Sequence, residues 1–171
     1  MSAVGVSFLF DIYVIHTLKP VEYTEAYDCA KDKIRHALKH DIYIDFMKDV
    51  FNISKTMNIK SGWNKTLQCL HNSSVYYPFI APKDNTMAFV YPRLDFFYPG
   101  RIYVNKEHFD EITLNEQANV LIHECTHLAF DTSDYAYSYE SKFDGLRGRK
   151  AFKNADTHVS IINSIKDNCY F

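Results

Sequence analysis

His123-Glu124-Cys125-Thr126-His127 constrains this chain more than any other stretch. Two histidines at positions i and i+4 of a helix project from one face, about one turn apart. So spaced, they can grip one zinc ion through imidazole nitrogens at about 2.0–2.1 Å. A glutamate beside the first histidine then reaches a zinc-activated water and can serve as its base. The pattern therefore asks for a helix with a core on one side and a cleft on the other.

The flanking residues predict that helix. Thr113-Leu114-Asn115-Glu116 has the S/T-x-x-E form of a capping box, which starts a helix near Leu114. Ala118, Leu121, Ile122, Cys125, Leu128 and Ala129 recur at helical spacing and form one apolar stripe. His123, Glu124 and His127 fall beside that stripe, free to line a cleft. The competing reading is a helix whose two histidines are merely hydrogen-bonded. Agreement of cap and stripe favours the metal.

Length and composition bound the rest. At 171 residues the chain reads as one domain, large enough for a substantial core. An apolar fraction of 47% argues against disorder. A net charge of −2 implies no polyanion partner, and no nucleic-acid motif is present. Val4 to Ile15 is apolar, but Asp11 interrupts it and no basic flank precedes it, so it fails as a signal peptide. It is also too short to cross a bilayer, and no membrane partner is expected. A strand or short helix packed on the core is expected there. Four cysteines allow three complete pairings. Sequence does not choose among them; a Cys29–Cys69 bridge is one candidate, and if formed it would imply an oxidising compartment. Cys125 lies on the core side of its helix and reads as a buried thiol.

Helical periodicity runs from Glu22 to Lys39, from Asp41 to Ile53 and from Trp63 to His71, predicting a bundle under the motif helix. Short β-rich runs follow at Val75–Ile80, Met87–Tyr91 and Arg101–Val104, punctuated by proline. Residues 131–150 read as a long polar loop, and Asn154 as the cap of a final helix. His16, His36, His40, His71, His108 and His158 read as surface or hydrogen-bonded histidines.

A catalytic zinc needs a third protein ligand. No histidine stands at the distance seen in H-E-x-x-H-x-x-G-x-x-H sites, because Phe130 and Ser133 occupy those places. Carboxylates remain. Asp131 would share the face of His127 if the helix ran on, and Asp134 lies seven residues beyond His127. These two rank nearly equal, with Glu140 third.

Thr132-Ser133-Asp134-Tyr135-Ala136-Tyr137 resembles the G-T-x-D-x-x-Y-G signature of aspzincin metallopeptidases, the deuterolysins and peptidyl-Lys metalloendopeptidases. The likeness reaches back through Gly100–Asn105 and Ala118–Glu124, and forward to Asn154-Ala155-Asp156-Thr157, similar to the family's N-A-D-S segment. It covers about Ala88 to Ile165. The resemblance implies that His123, His127 and Asp134 hold one Zn2+, that Glu124 is the general base, and that Tyr137 donates its hydroxyl to the oxyanion. Asp131 and Ser138 replace the two glycines of the signature. The interval from His127 to Asp134 is also shorter than in fungal members. In lysine-specific members an acidic pair on the last helix reads the substrate lysine. Here Asp156 matches the first acid and Val159 stands at the second, so strict lysine preference is not expected. Asp156 is either a substrate contact or a carboxylate favoured by the helix dipole.

The expected fold is α+β: a mainly helical, zincin-like domain over residues 1–171, with a small β-sheet or hairpin before the HExxH helix. Its parts are helices over about 1–72, strands and active-site helix over about 75–134, and a loop and final helix over about 135–171. The expected function is a zinc metalloendopeptidase acting on a protein or peptide substrate. The missing leader suggests a bacterial toxin or effector, secreted or delivered outside the producing cell, with a cognate inhibitor or immunity protein. Two alternatives stand: a zinc peptidoglycan amidase or endopeptidase, and a non-catalytic zinc-stabilised binding domain. The second fits poorly with an intact Glu124 and Tyr137.

Overall fold

The computed structural model describes residues 20–40, 43–54, 58–78, 86–91 and 100–165. The Val4–Ile15 segment, His16 and Cys169 lie outside the described residues. The chain folds as α+β and is mainly helical. Helices α1 (Thr24–Lys39), α2 (Tyr43–Phe51) and α3 (Ile59–Asn72) come first. Strands β1 (Ser74–Tyr76), β2 (Ala88–Val90) and β3 (Arg101–Val104) follow, then α4 (Lys106–Glu111) and the motif helix α5 (Leu114–Phe130). A 3-10 turn (Phe143–Gly145), α6 (Gly148–Phe152) and α7 (Ala155–Asn163) complete the described elements.

Local chemistry sets several boundaries. Thr113 caps α5 in a reciprocal capping box: its hydroxyl accepts the Glu116 N–H at 3.3 Å, and Glu116 Oε2 accepts the Thr113 N–H at 2.8 Å. Helix α3 begins at Ile59, earlier than the periodicity from Trp63 indicates, because the Asn58 side chain accepts the Ser61 N–H at 3.0 Å. The three strands do not form a simple hairpin. Their order is β1-β3-β2, with β1 parallel and β2 antiparallel to β3. The stretch 131–150 is not all loop, since the 3-10 turn and α6 interrupt it.

Helix α5 packs against α3 and α1 on one side and meets α7 and β2 on the other. Its stripe residues Ala118, Leu121, Ile122 and Cys125 are fully buried with Ile34, Trp63 and Ile162. Burying each large aliphatic side chain stabilises by roughly 1.5–3 kcal/mol. That burial, more than helix propensity, holds the motif helix in register. Gly62 of α3 meets Phe130 of α5, whose ring lies where a Cβ on residue 62 would project.

The candidate Cys29–Cys69 bridge is not formed. Cys29 is disulfide-bonded, whereas Cys69 and Cys125 are free thiols. Cys29 faces the core from α1, while Cys69 on α3 turns instead toward α5. Among the described residues, no helix is long and apolar enough to cross a membrane.

Candidate metal centre

One end of α5 carries two imidazoles on the face beside its core stripe, as the four-residue spacing requires. His123 and His127 Nε2 lie 3.1 Å apart. Asp134, from the loop that follows α5, brings Oδ1 to 2.9 Å from His123 Nε2 and 3.3 Å from His127 Nε2. Ligands bound at about 2.0–2.1 Å to a tetrahedral zinc sit about 3.3 Å apart. The three donor atoms therefore surround a point that fits one such ion. Among the described residues, they are the group able to hold a metal.

The other side of each imidazole is tied. His123 Nδ1 donates to Asp156 Oδ1 at 2.6 Å, and His127 Nδ1 faces the Thr132 carbonyl at 3.1 Å. A proton on each Nδ1 leaves each Nε2 lone pair aimed inward. This is the usual outer support of a metal-binding histidine. Thr132 is itself held by Thr126, hydroxyl to hydroxyl, at 2.8 Å.

The electrostatics favour a cation at this point. Burial pulls the His123 imidazolium down, but hydrogen bonds to Asp134 and Asp156 outweigh it and raise its pKa to about 10. His127 is also raised, burial being overcome by its hydrogen bond to Asp134. Asp134 is driven well below the carboxylate range: burial opposes this, and the two histidines prevail.

Residues 49–160 match the family described as lysine-specific metallo-endopeptidases, the aspzincins. The chain belongs to the aspzincins. No curated protein matches it.

Membership implies a metal ion, and the candidate ligands separate cleanly in this aspzincin. Asp131 does not share the face of His127, because α5 stops at Phe130. Asp131 adopts a left-handed conformation (φ 53°), and its carboxylate points to solvent near Lys153 Nζ at 3.1 Å. Glu140 is engaged elsewhere, accepting the Tyr137 N–H at 2.7 Å. The turn at Asp131 is what brings Asp134 back over the histidines.

Glu124 lies on the same helix face, almost fully buried at 5% exposure. Burial raises its pKa from the ordinary carboxylate value, against the pull of His123 and His127. Tyr137 stacks on the His123 ring at 5.9 Å between centroids, and its other neighbour is the highly exposed Tyr139 at 5.5 Å. Burial, reinforced by Asp134, pushes the Tyr137 phenol up to about 12, so it remains an O–H donor. Both residues line one cleft of about 1150 Å³ with the three ligands.

Asp156 also reaches the cleft, yet both its oxygens are committed: Oδ1 to His123, and Oδ2 to the Ser138 N–H at 2.6 Å. Val159 lines the same wall. Asn154 stands at the N-cap of α7 but makes no side-chain cap bond there. Its Oδ1 instead accepts the N–H groups of Tyr135 and Ala136 at 2.9 and 3.0 Å, and its Nδ2 donates to the Ala136 carbonyl. Asn154 thus clamps the loop between Asp134 and Tyr137. Sequence reading misses both roles: it makes Asn154 a helix cap and Asp156 a substrate contact or a helix-dipole carboxylate. Only the Asn-Ala-Asp-Thr likeness marks the segment, because the partners of both side chains lie on distant segments. His158, among the histidines set aside, is fully buried and faces the Phe152 carbonyl through Nε2 at 2.8 Å.

Proposed function

We propose that this aspzincin is a zinc-dependent endopeptidase. The observation that carries the reading is the triangle of His123, His127 and Asp134 donor atoms, with Glu124 on the same cleft wall. A bound zinc would supply Lewis acidity, polarising a peptide carbonyl and acidifying a water molecule. Glu124 takes a proton from the attacking water and delivers it to the departing amine. Burial raises its pKa, which makes the carboxylate a stronger base toward that proton. Tyr137 turns its hydroxyl to the charge developing on the carbonyl oxygen, where a positioned donor contributes several kcal/mol at order of magnitude. Asp156 keeps the His123 ring oriented, and Thr132 does the same for His127.

The cleft suits an extended chain. Its volume of about 1150 Å³ exceeds the roughly 300–1,000 Å³ of ordinary small-ligand pockets. Strand β2, an outer strand of the described sheet, lines it and offers backbone groups to a peptide laid alongside. Asp156 is occupied and Val159 carries no charge, which supports a preference broader than lysine. The disulfide at Cys29 supports action in an oxidising compartment, consistent with a secreted or delivered toxin or effector held in check by a cognate inhibitor.

Digestion of a peptide library with and without a chelator, read by mass spectrometry, tests the reading. Chelator-sensitive internal cleavage at varied residues is expected. Cleavage confined to muropeptides would turn the assignment to cell-wall peptides. Metal-loaded protein that cuts neither would leave the ion a structural role.

A further inference from the structure

A second pair of reactive side chains lies behind the metal helix. Cys69 of α3 and Cys125 of α5 bring their sulfurs to 2.8 Å. That is inside van der Waals contact for two sulfur atoms and not far beyond the S–S bond length of about 2.0 Å. Cys125 is fully buried between Glu124 and Thr126, whereas Cys69 is partly exposed. The two helices already pack against one another. Bond formation therefore requires a small side-chain adjustment and no rearrangement of the fold. Cys29 is already disulfide-bonded, so the conditions that maintain it would also act on a second dithiol.

We propose that Cys69 and Cys125 form an oxidisable dithiol site whose disulfide staples α3 to the back of the metal helix. A small-molecule disulfide such as oxidised glutathione serves as oxidant. The sulfur of Cys69, the more exposed residue of the pair, attacks one glutathione sulfur, breaking its S–S bond and releasing the first glutathione thiol. Cys125 then displaces the second glutathione from the mixed disulfide. Two electrons pass from the cysteine pair to the glutathione sulfurs, and the two cysteine protons end on the two released thiols. The new bond closes the chain from residue 69 to residue 125 and restricts the unfolded ensemble.

The test uses the full chain. Protein is equilibrated with oxidised glutathione, denatured, alkylated with N-ethylmaleimide and digested for peptide mass spectrometry. The expected product is a peptide linking Cys69 to Cys125, neither sulfur alkylated, with Cys29 still oxidised. The oxidant should raise the melting midpoint on the order of 10 °C. It should leave that of Cys69→Ser unchanged, because that variant lacks the attacking sulfur. Wild-type protein whose Cys69 and Cys125 are both alkylated overturns the proposal without recourse to any variant. So does Cys69 recovered only as a glutathione adduct, or paired with Cys29.

Discussion

His123 Nδ1 donates to Asp156 Oδ1 across 2.6 Å, joining the metal helix to the first turn of α7. A carboxylate in this position selects the imidazole tautomer whose Nε2 lone pair is free for a cation. Asp156→Asn places a side-chain N–H toward either His123 or Ser138, both of which already donate. Metal affinity is expected to fall about 10–100-fold, measured by chelator competition. Unchanged affinity would remove Asp156 from the metal support.

Glu124→Gln preserves size in a buried position and removes the proton acceptor. Bound metal per chain should stay at the wild-type level while peptide hydrolysis falls about 10²–10⁴-fold. Metal content by mass spectrometry and rates on one peptide, taken together, decide it. A variant that keeps its rate would show that the base lies elsewhere.

His158 makes the fold acid-sensitive. Burial lowers its pKa to about 4, although the Phe152 carbonyl pulls the other way. The unfolded chain takes up this proton below about 6.5. Between these values the unfolded state holds more protons, so stability falls as pH falls from about 6.5 to 4, by about 3 kcal/mol at most. His158→Gln should show a shallower decline of melting midpoint with acid over that range. Parallel curves for the two proteins would exclude His158 as the source.

Gly62→Ala should destabilise the protein. Alanine improves helix propensity by about 1 kcal/mol, but its methyl overlaps the Phe130 ring, which is boxed in by Phe152 and His158. Overpacking of this kind costs about 1–3 kcal/mol. Chemical denaturation of Gly62→Ala and wild type compares the two effects directly, and a higher midpoint for the variant would mean that the ring moves freely.

Asp131 holds a left-handed conformation where the family signature has glycine. Asp131→Gly should melt at or above the wild-type temperature. Asp131→Val should melt clearly below it, because a β-branched residue resists positive φ. Equal melting of the two variants would show that this turn tolerates any side chain.

Much of this protein was legible in order along the chain. The capping box at Thr113, the apolar stripe of α5 and the spacing of His123 and His127 are local patterns. A helix converts such patterns directly into a face, so the core side and the cleft side of α5 followed from sequence. The same holds for Arg101–Val104 and for the helical periodicity of α1.

The third candidate ligand was different. Asp131 and Asp134 were nearly equivalent candidates until the backbone turned left-handed at Asp131, and that turn depends on how the following loop is held. Asn154, nineteen residues beyond Tyr135, holds it. The partners of Asp156, the parallel pairing of β1 with β3 and the meeting of Cys69 with Cys125 are likewise contacts between distant segments. Periodicity records which face of an element is apolar. It carries no record of which other element covers that face, because that choice comes from packing the whole chain at once.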